Sequence, residues 1–162
     1  MTIYDAQLEL EASTRTWSTS LQYATNTIAL GNLRDVGAGT PLYVEFQVTE
    51  AFTTSDAATF VGTVIVANAT NMSGDSQIVG YLGNTATPMT AAMLALGARF
   101  TIPIGTLDET RKTLPDAAYL GFIMITTNNW TAGKLNIRVV LHPNDNPEWK
   151  TFAVNSKMAL DH

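Results

Sequence analysis

Residues Thr59 to Ala69 read TFVGTVIVANA, and this stretch decides the fold. It is rich in β-branched residues and carries Val, Ile or Phe on both of its faces, the pattern of a central strand inside a packed sandwich. Gly62 is expected to mark a bulge or bend in it. Working outward, Tyr119 to Thr127 (YLGFIMITT) is again apolar on both faces. Leu42 to Val48 (LYVEFQV) alternates instead: Leu42, Val44, Phe46 and Val48 share one face, and Tyr43, Glu45 and Gln47 the other, which describes a half-buried strand. Leu135, Ile137, Val139 and Leu141 alternate with Asn136, Arg138 and Val140, and NNWTAGK ahead of them supplies a turn.

Thr25 to Leu30, Gln77 to Leu82 and Arg99 to Ile104 are shorter candidates, each bounded by Gly, Asn or Pro. Together these segments make about eight strands, separated by short polar turns and almost without helical periodicity. The expectation is an all-β chain, an antiparallel β-sandwich or jelly roll. Thr87 to Gly97 leaves two readings open. Thr87-Pro88 can open a short helix near 88–96 that Gly97 closes, or the segment is an extended connection with Met89, Met93 and Leu96 as core fillers.

A chain of 162 residues is expected to form one domain with a sizeable core. The break HPNDNPE at His142 to Glu148 sets the limits: a sandwich over 1–142 with an N-terminal arm, and 143–162 as a C-terminal tail rather than a domain. Charged residues are 14% of the chain, so uncharged Thr, Ser and Asn must cover much of the surface. Nine basic residues face fourteen acidic ones, and only Arg111-Lys112 are adjacent. A nucleic-acid groove needs clustered basic side chains, so no nucleic-acid partner is expected. No apolar run has membrane-helix length, and MTIYDAQLELEAS lacks the layout of a signal peptide, so no membrane association or export is expected. The absence of cysteine removes a disulfide scaffold, a cysteine-based zinc module and a thiol nucleophile.

Reactive groups are scarce. The two histidines are His142, in a Pro-Asn turn, and His162, the last residue, poor material for a catalytic imidazole or a metal site. No G-x-S-x-G elbow occurs, and Ser73-Gly74 reads as a polar turn. Glu9 with Glu11, or Asp108 with Glu109, would serve glycoside hydrolysis if held across a cleft, but read more simply as solvated charges. Asn144-Asp145-Asn146 offers oxygen ligands without the calcium loop's Gly and terminal Glu, and reads as a turn. Gly31, Gly37 and Gly39 lack dinucleotide spacing. The triplets at Asn68, Asn71 and Asn129 match the glycosylation pattern by chance in so Thr-rich a chain. No catalytic, cofactor or metal residue is assigned, and the chain is not expected to be an enzyme.

Trp17, Trp130 and Trp149 sit in polar contexts. They suit a stacking platform for sugar rings, anchors for a protein partner, or caps on the sandwich core, since all three uses bury an aromatic body and keep its polar edge wet. For Trp17 and Trp130 the core is favoured. Trp149, with Phe152 beside it in the tail, is the candidate for contact with a partner.

The stretch Ile28 to Val48, IALGNLRDVGAGTPLYVEFQV, resembles the capsid cement (decoration) proteins of tailed bacteriophages, of the Bordetella phage cement protein type. That family commonly reads IDLG, a short gap, RDIGEGEPLY and an alternating strand. Here the matching residues are Ile28, Leu30, Gly31, Arg34, Asp35, Val36, Gly37, Gly39, Pro41, Leu42 and Tyr43. Asp5 to Leu8, GARFTIP at Gly97 to Pro103 and PDAAYLGF at Pro115 to Phe122 are similar to other family segments, so the likeness spans roughly Tyr4 to Leu141. Ala38 and Thr40 stand where the family commonly has acidic residues, and the tail from His142 has no family counterpart.

The resemblance implies a jelly-roll subunit that binds the outside of an icosahedral head and ties neighbouring major capsid proteins together. It also implies a place on the outer face of the virion after synthesis in the bacterial host cytoplasm. Symmetry adds self-association as a dimer or trimer. The motif itself reads as structural: Gly37 and Gly39 permit a tight turn, Pro41 leads into a strand, and Arg34 with Asp35 can pin the loop. Met1 to Ser13 and Trp149 to His162 are candidates for arms that add to a neighbour's sheet. The alternative function is a carbohydrate-binding β-sandwich on a phage or bacterial surface, with a tryptophan as its platform.

Overall fold

The computed structural model describes residues 8–18, 21–30, 41–106 and 118–140. They form ten strands: β1 (Glu9–Ala12), β2 (Leu21–Tyr23), β3 (Ile28–Ala29), β4 (Leu42–Thr53), β5 (Thr59–Ala67), β6 (Ser76–Leu82), β7 (Met89–Thr90), β8 (Arg99–Gly105), β9 (Tyr119–Thr126) and β10 (Ala132–Val140). Every pairing is antiparallel. One sheet, called A here, has the order β1-β10-β4-β8. The other, sheet B, has the order β2-β9-β5-β6, with β3 also on β9 and β7 also on β5. The chain is therefore all-β, two antiparallel sheets stacked as a sandwich.

Alternation decides which side chains lie between the sheets. From sheet A come Leu42, Val44, Phe46 and Val48 of β4 and Leu135, Ile137 and Val139 of β10; from sheet B come Phe60, Val64 and Val66 of β5 and Leu120, Phe122 and Met124 of β9. Aromatic rings join the layers edge to face. Trp17 meets Phe122 at 5.8 Å and 80°, Phe46 lies 5.1 Å from Phe122, and Trp130 stands perpendicular to Phe52 at 5.1 Å. NNWTAGK does not close a hairpin within one sheet: it carries the chain from β9 in sheet B to β10 in sheet A, and Trp130 plugs that corner.

Gly62 is not a bulge. It pairs in register with both Leu82 and Met124, and the register shift of β5 against β6 falls later, between Val64 and Ile65. What Gly62 provides is room, because a Cβ there would stand 2.7 Å from the Phe122 ring. Gly133 does the same for Phe52, at 2.5 Å, with φ +145°.

Residues 88–96 form no helix. Met89 pairs with Phe60 and Thr90 with Thr59, which draws the start of the segment into sheet B. A single turn follows, in which the amide of Leu94 bonds the carbonyls of Thr90 and Ala91. Met89 and Leu94 are buried, whereas Met93 and Leu96 are exposed, so of the three expected core fillers only Met89 serves. The expected strand over Thr25 to Leu30 shrinks to Ile28–Ala29, and β1 and β2 are additional.

Part of the stretch Met1 to Ser13, expected as an arm, lies in the chain's own sandwich. Glu9 to Ala12 pair with Arg138 to Asn136 of β10 in the chain's own sheet, and Leu10 and Glu11 are fully buried. Residues 9–12 therefore belong to the sandwich, because Leu10 fills its core.

Candidate interaction surface

A sandwich covers one face of each sheet and leaves the other to solvent, and the two outer faces of this molecule differ in kind. On sheet A the outer face is polar and charged. Glu45 lies between Arg138, with which it is hydrogen-bonded and ion-paired, and Arg99, whose Nη1 is 3.8 Å from the carboxylate. Asn136 donates to Glu9 at 2.9 Å, and Lys134 pairs with Glu50 at 2.9 Å.

Sheet B presents the opposite chemistry. The register places Leu21, Ile125 and Val61 in one row across β2, β9 and β5, and Tyr23, Ile123, Thr63 and Tyr81 in the next, extending to β6. A third row holds Gly121, Ile65 and Ile78. None of these side chains is charged. Leu21 is 52% exposed, Ile125 51%, Tyr81 56% and Ile78 45%. Met72 folds back over this face from the turn after β5, and with Ile65, Ala67, Tyr119 and Ile123 makes a second, smaller apolar cluster.

The signal for this face was present in the sequence. β5 and β9 are apolar on both sides, which predicts burial on both sides; the inner face is buried by the other sheet, Met72 covers Ile65 and Ala67 on the outer one, and Val61, Ile123 and Ile125 stay partly or half exposed there. In an antiparallel sheet the second face is ordinarily polar. A large apolar outer face is the mark of an interaction site.

The candidate catalytic pair Glu9 and Glu11 does not face a shared cleft. A register shift between them sends the two carboxylates apart, Glu9 to Asn136 and Glu11 into the interior. Glu11 is not a solvated charge: it is 0% exposed and accepts bonds from the Thr25 amide (2.9 Å), the Thr25 hydroxyl (2.6 Å) and the Thr14 hydroxyl (3.1 Å). Its position in β1 directs it under the loop between β2 and β3. No sequence pattern marked it out.

Trp17 and Trp130 are 0% and 2% exposed, packed edge to face with Phe122 and with Phe52 and Phe60 respectively, so neither offers a platform for a sugar ring. Asn68 and Asn71 hold the turn between β5 and β6: the Asn68 amide bonds the Asp75 carbonyl, and Asn71 Oδ1 accepts from the amide and hydroxyl of Ser73. Among the described residues no three His, Asp or Glu side chains stand together as metal ligands, and no helix is long and apolar enough to cross a membrane. Pro41 is exposed and immediately precedes β4. Arg34, Asp35, Gly37, Gly39, Asp108, Glu109, His142, Asn144 to Asn146, Trp149, Phe152 and His162 lie outside the described residues.

Comparison with protein-family models and with curated proteins returns no match.

Proposed function

We propose that this chain is a structural, non-enzymatic virion protein that binds the outside of a phage head and bridges major capsid proteins. The observation that carries the reading is the uncharged outer face of sheet B, on which Leu21, Ile125, Tyr81 and Ile78 remain half exposed while the other sheet's outer face is laced with ion pairs. Such a face loses water-exposed apolar area only when another surface covers it. The resemblance over Ile28 to Val48 supplies the identity of the covering surface.

The wiring also supports the jelly-roll reading. The path runs from β1 in sheet A to β2 and β3 in sheet B, back to β4, across to β5, β6 and β7, and then alternates through β8, β9 and β10. A subunit of this kind works by linkage. It binds the closed shell and not its separated parts, so occupancy raises the shell's resistance to heat and internal pressure. Self-association as a dimer or trimer would place identical contacts about a symmetry axis.

Sedimentation of the purified chain with capsids lacking it tests the reading. Saturable co-sedimentation at a stoichiometry that divides the number of shell subunits is the expected result. Failure to sediment with any assembled shell, under conditions where the chain is folded, would remove the proposal.

A further inference from the structure

Sheet B carries a second feature toward the Tyr119 end of its outer face. The loop between β2 and β3 and the turn after β5 stand on either side of Gly121 as walls of an open groove of about 430 Å³. That volume lies within the range of small-ligand sites. Tyr23 to Thr27 form one wall and Thr70 to Met72 the other. No lining residue is charged.

Both walls are held in place. The amide of Ala24 bonds the Phe122 carbonyl at 2.9 Å, the amide of Asn26 bonds the Leu10 carbonyl at 3.0 Å, and Arg15 donates to the carbonyl of Tyr23. Beneath them Glu11 grips Thr25 through both its amide and its hydroxyl. A buried carboxylate is a costly way to fill a strand position, because a well-packed apolar residue carries no desolvation penalty. Its effect here is to fix an exposed loop in one geometry, which is what a preformed site requires. Across the groove Met72 adopts φ +57°, a strained conformation for a side-chain-bearing residue. Its thioether lies against Gly121, where a Cβ would come within 2.8 Å of Sδ.

The lining selects a class of ligand. The floor of Met72 and Gly121 is apolar, Tyr23 offers an aromatic ring that is 39% exposed, and the rim holds the hydroxyls of Thr27 and Thr70 and the amides of Asn26 and Asn71. Ser73 occupies Asn71 Oδ1 and so presents the Asn71 Nδ2 group as a donor. Among the described residues that line the groove none is charged: Arg15 is engaged with the carbonyl of Tyr23, and the Glu11 carboxylate is enclosed behind Thr25. A ring with an apolar C–H face and neutral hydroxyls at its edge complements both floor and rim.

We propose that this groove binds a neutral saccharide, with Tyr23 against the sugar ring and Asn26, Asn71, Thr27 and Thr70 bonding its hydroxyls. The proposal does not rest on the capsid reading, although the groove shares Tyr23 and Gly121 with the apolar rows of the same face and Met72 with the small cluster over them. Trp17 and Trp130 are not among the residues that line the groove.

The test is amide-resolved NMR titration of the full chain with the N-acetylglucosamine trimer, maltotriose and lactose, with sialyllactose as a charged comparison. Saturable shifts confined to Tyr23–Thr27, Thr70–Met72 and Gly121 with at least one neutral sugar are expected. Tyr23→Ala should weaken that binding roughly tenfold or more, Tyr23→Phe should largely preserve it, and Leu21→Ala should leave it unchanged. Absence of saturable shifts with all three neutral sugars, or binding indifferent to Tyr23→Ala in a folded protein, would overturn the proposal, whatever the outcome with capsids.

Discussion

Glu11 accepts hydrogen bonds from both the amide and the hydroxyl of Thr25, fourteen residues further along the chain, at 2.9 and 2.6 Å. This contact ties the edge strand of sheet A to the β2–β3 loop of sheet B. Truncation by Glu11→Ala removes the acceptor from the Thr25 and Thr14 donors and leaves a space where a fully buried side chain stood, with an expected cost of about 1–3 kcal/mol. Glu11→Gln keeps the shape and one acceptor oxygen, and should cost less. Urea unfolding of the two variants measures the difference, and equal, negligible losses would show that the bond does not hold the sheets together.

Gly62 faces the ring of Phe122 so closely that an added methyl would lie 2.7 Å from two ring carbons and 3.1 Å from Leu82 Cβ. Gly62→Ala is therefore expected to destabilise by about 1–3 kcal/mol through overpacking. Gly97 makes a useful contrast, since nothing lies within 4 Å but its φ is +84°. Gly97→Ala should cost about 1 kcal/mol through backbone strain alone. Combining Gly62→Ala with Phe122→Leu should recover part of the first loss and none of the second, as read by thermal denaturation.

On the outer face of sheet A, Glu45 has a side chain only 9% exposed and sits between Arg138 and Arg99, whereas Glu50 and Lys134 are 42% and 36% exposed. The first carboxylate is shielded from water and the second is not. Glu45→Gln is expected to cost about 1–3 kcal/mol and Glu50→Gln less than about 0.5 kcal/mol. Raising the salt concentration should narrow the second difference more than the first. Denaturation at two ionic strengths distinguishes them.

Long strands with clear periodicity were legible in the sequence. Thr59 to Ala67, Tyr119 to Thr126 and Leu42 to Val48 carry enough apolar positions to declare both strand and face. β1 and β2 were not, because strands of four and three residues hold too few alternations to register, and β2 points Leu21 and Tyr23 outward. Residues 88–96 contain good helix formers, but pairing of Met89 with Phe60 outweighs weak local propensity. Glu11 was illegible for another reason: burial of a carboxylate depends on donors from a distant loop, Thr25, and no local pattern reports them. The apolar outer face of sheet B was half legible. The doubly apolar strands announced two buried faces, but which positions stay exposed, Ile125 with Leu21, Tyr81 and Ile78 on the neighbouring strands, emerges only once the sheets are stacked and Met72 is in place.

Charge placed on that face should separate binding from folding. Ile125→Lys and Leu21→Lys replace half-exposed neighbours on adjacent strands, paired in register, so each should shift the isolated protein's stability by less than about 1 kcal/mol. Both should weaken attachment to a partner surface much more, since a charge buried in an apolar contact remains unpaired.

Thermal melting of capsids saturated with the wild-type chain or with Ile125→Lys tests the central claim most directly. Capsids carrying the wild-type chain should melt at a higher temperature than bare ones, and the variant, though folded, should give the bare-capsid value. Equal stabilisation by both chains, or none by either, would contradict the assignment of sheet B's outer face to the shell.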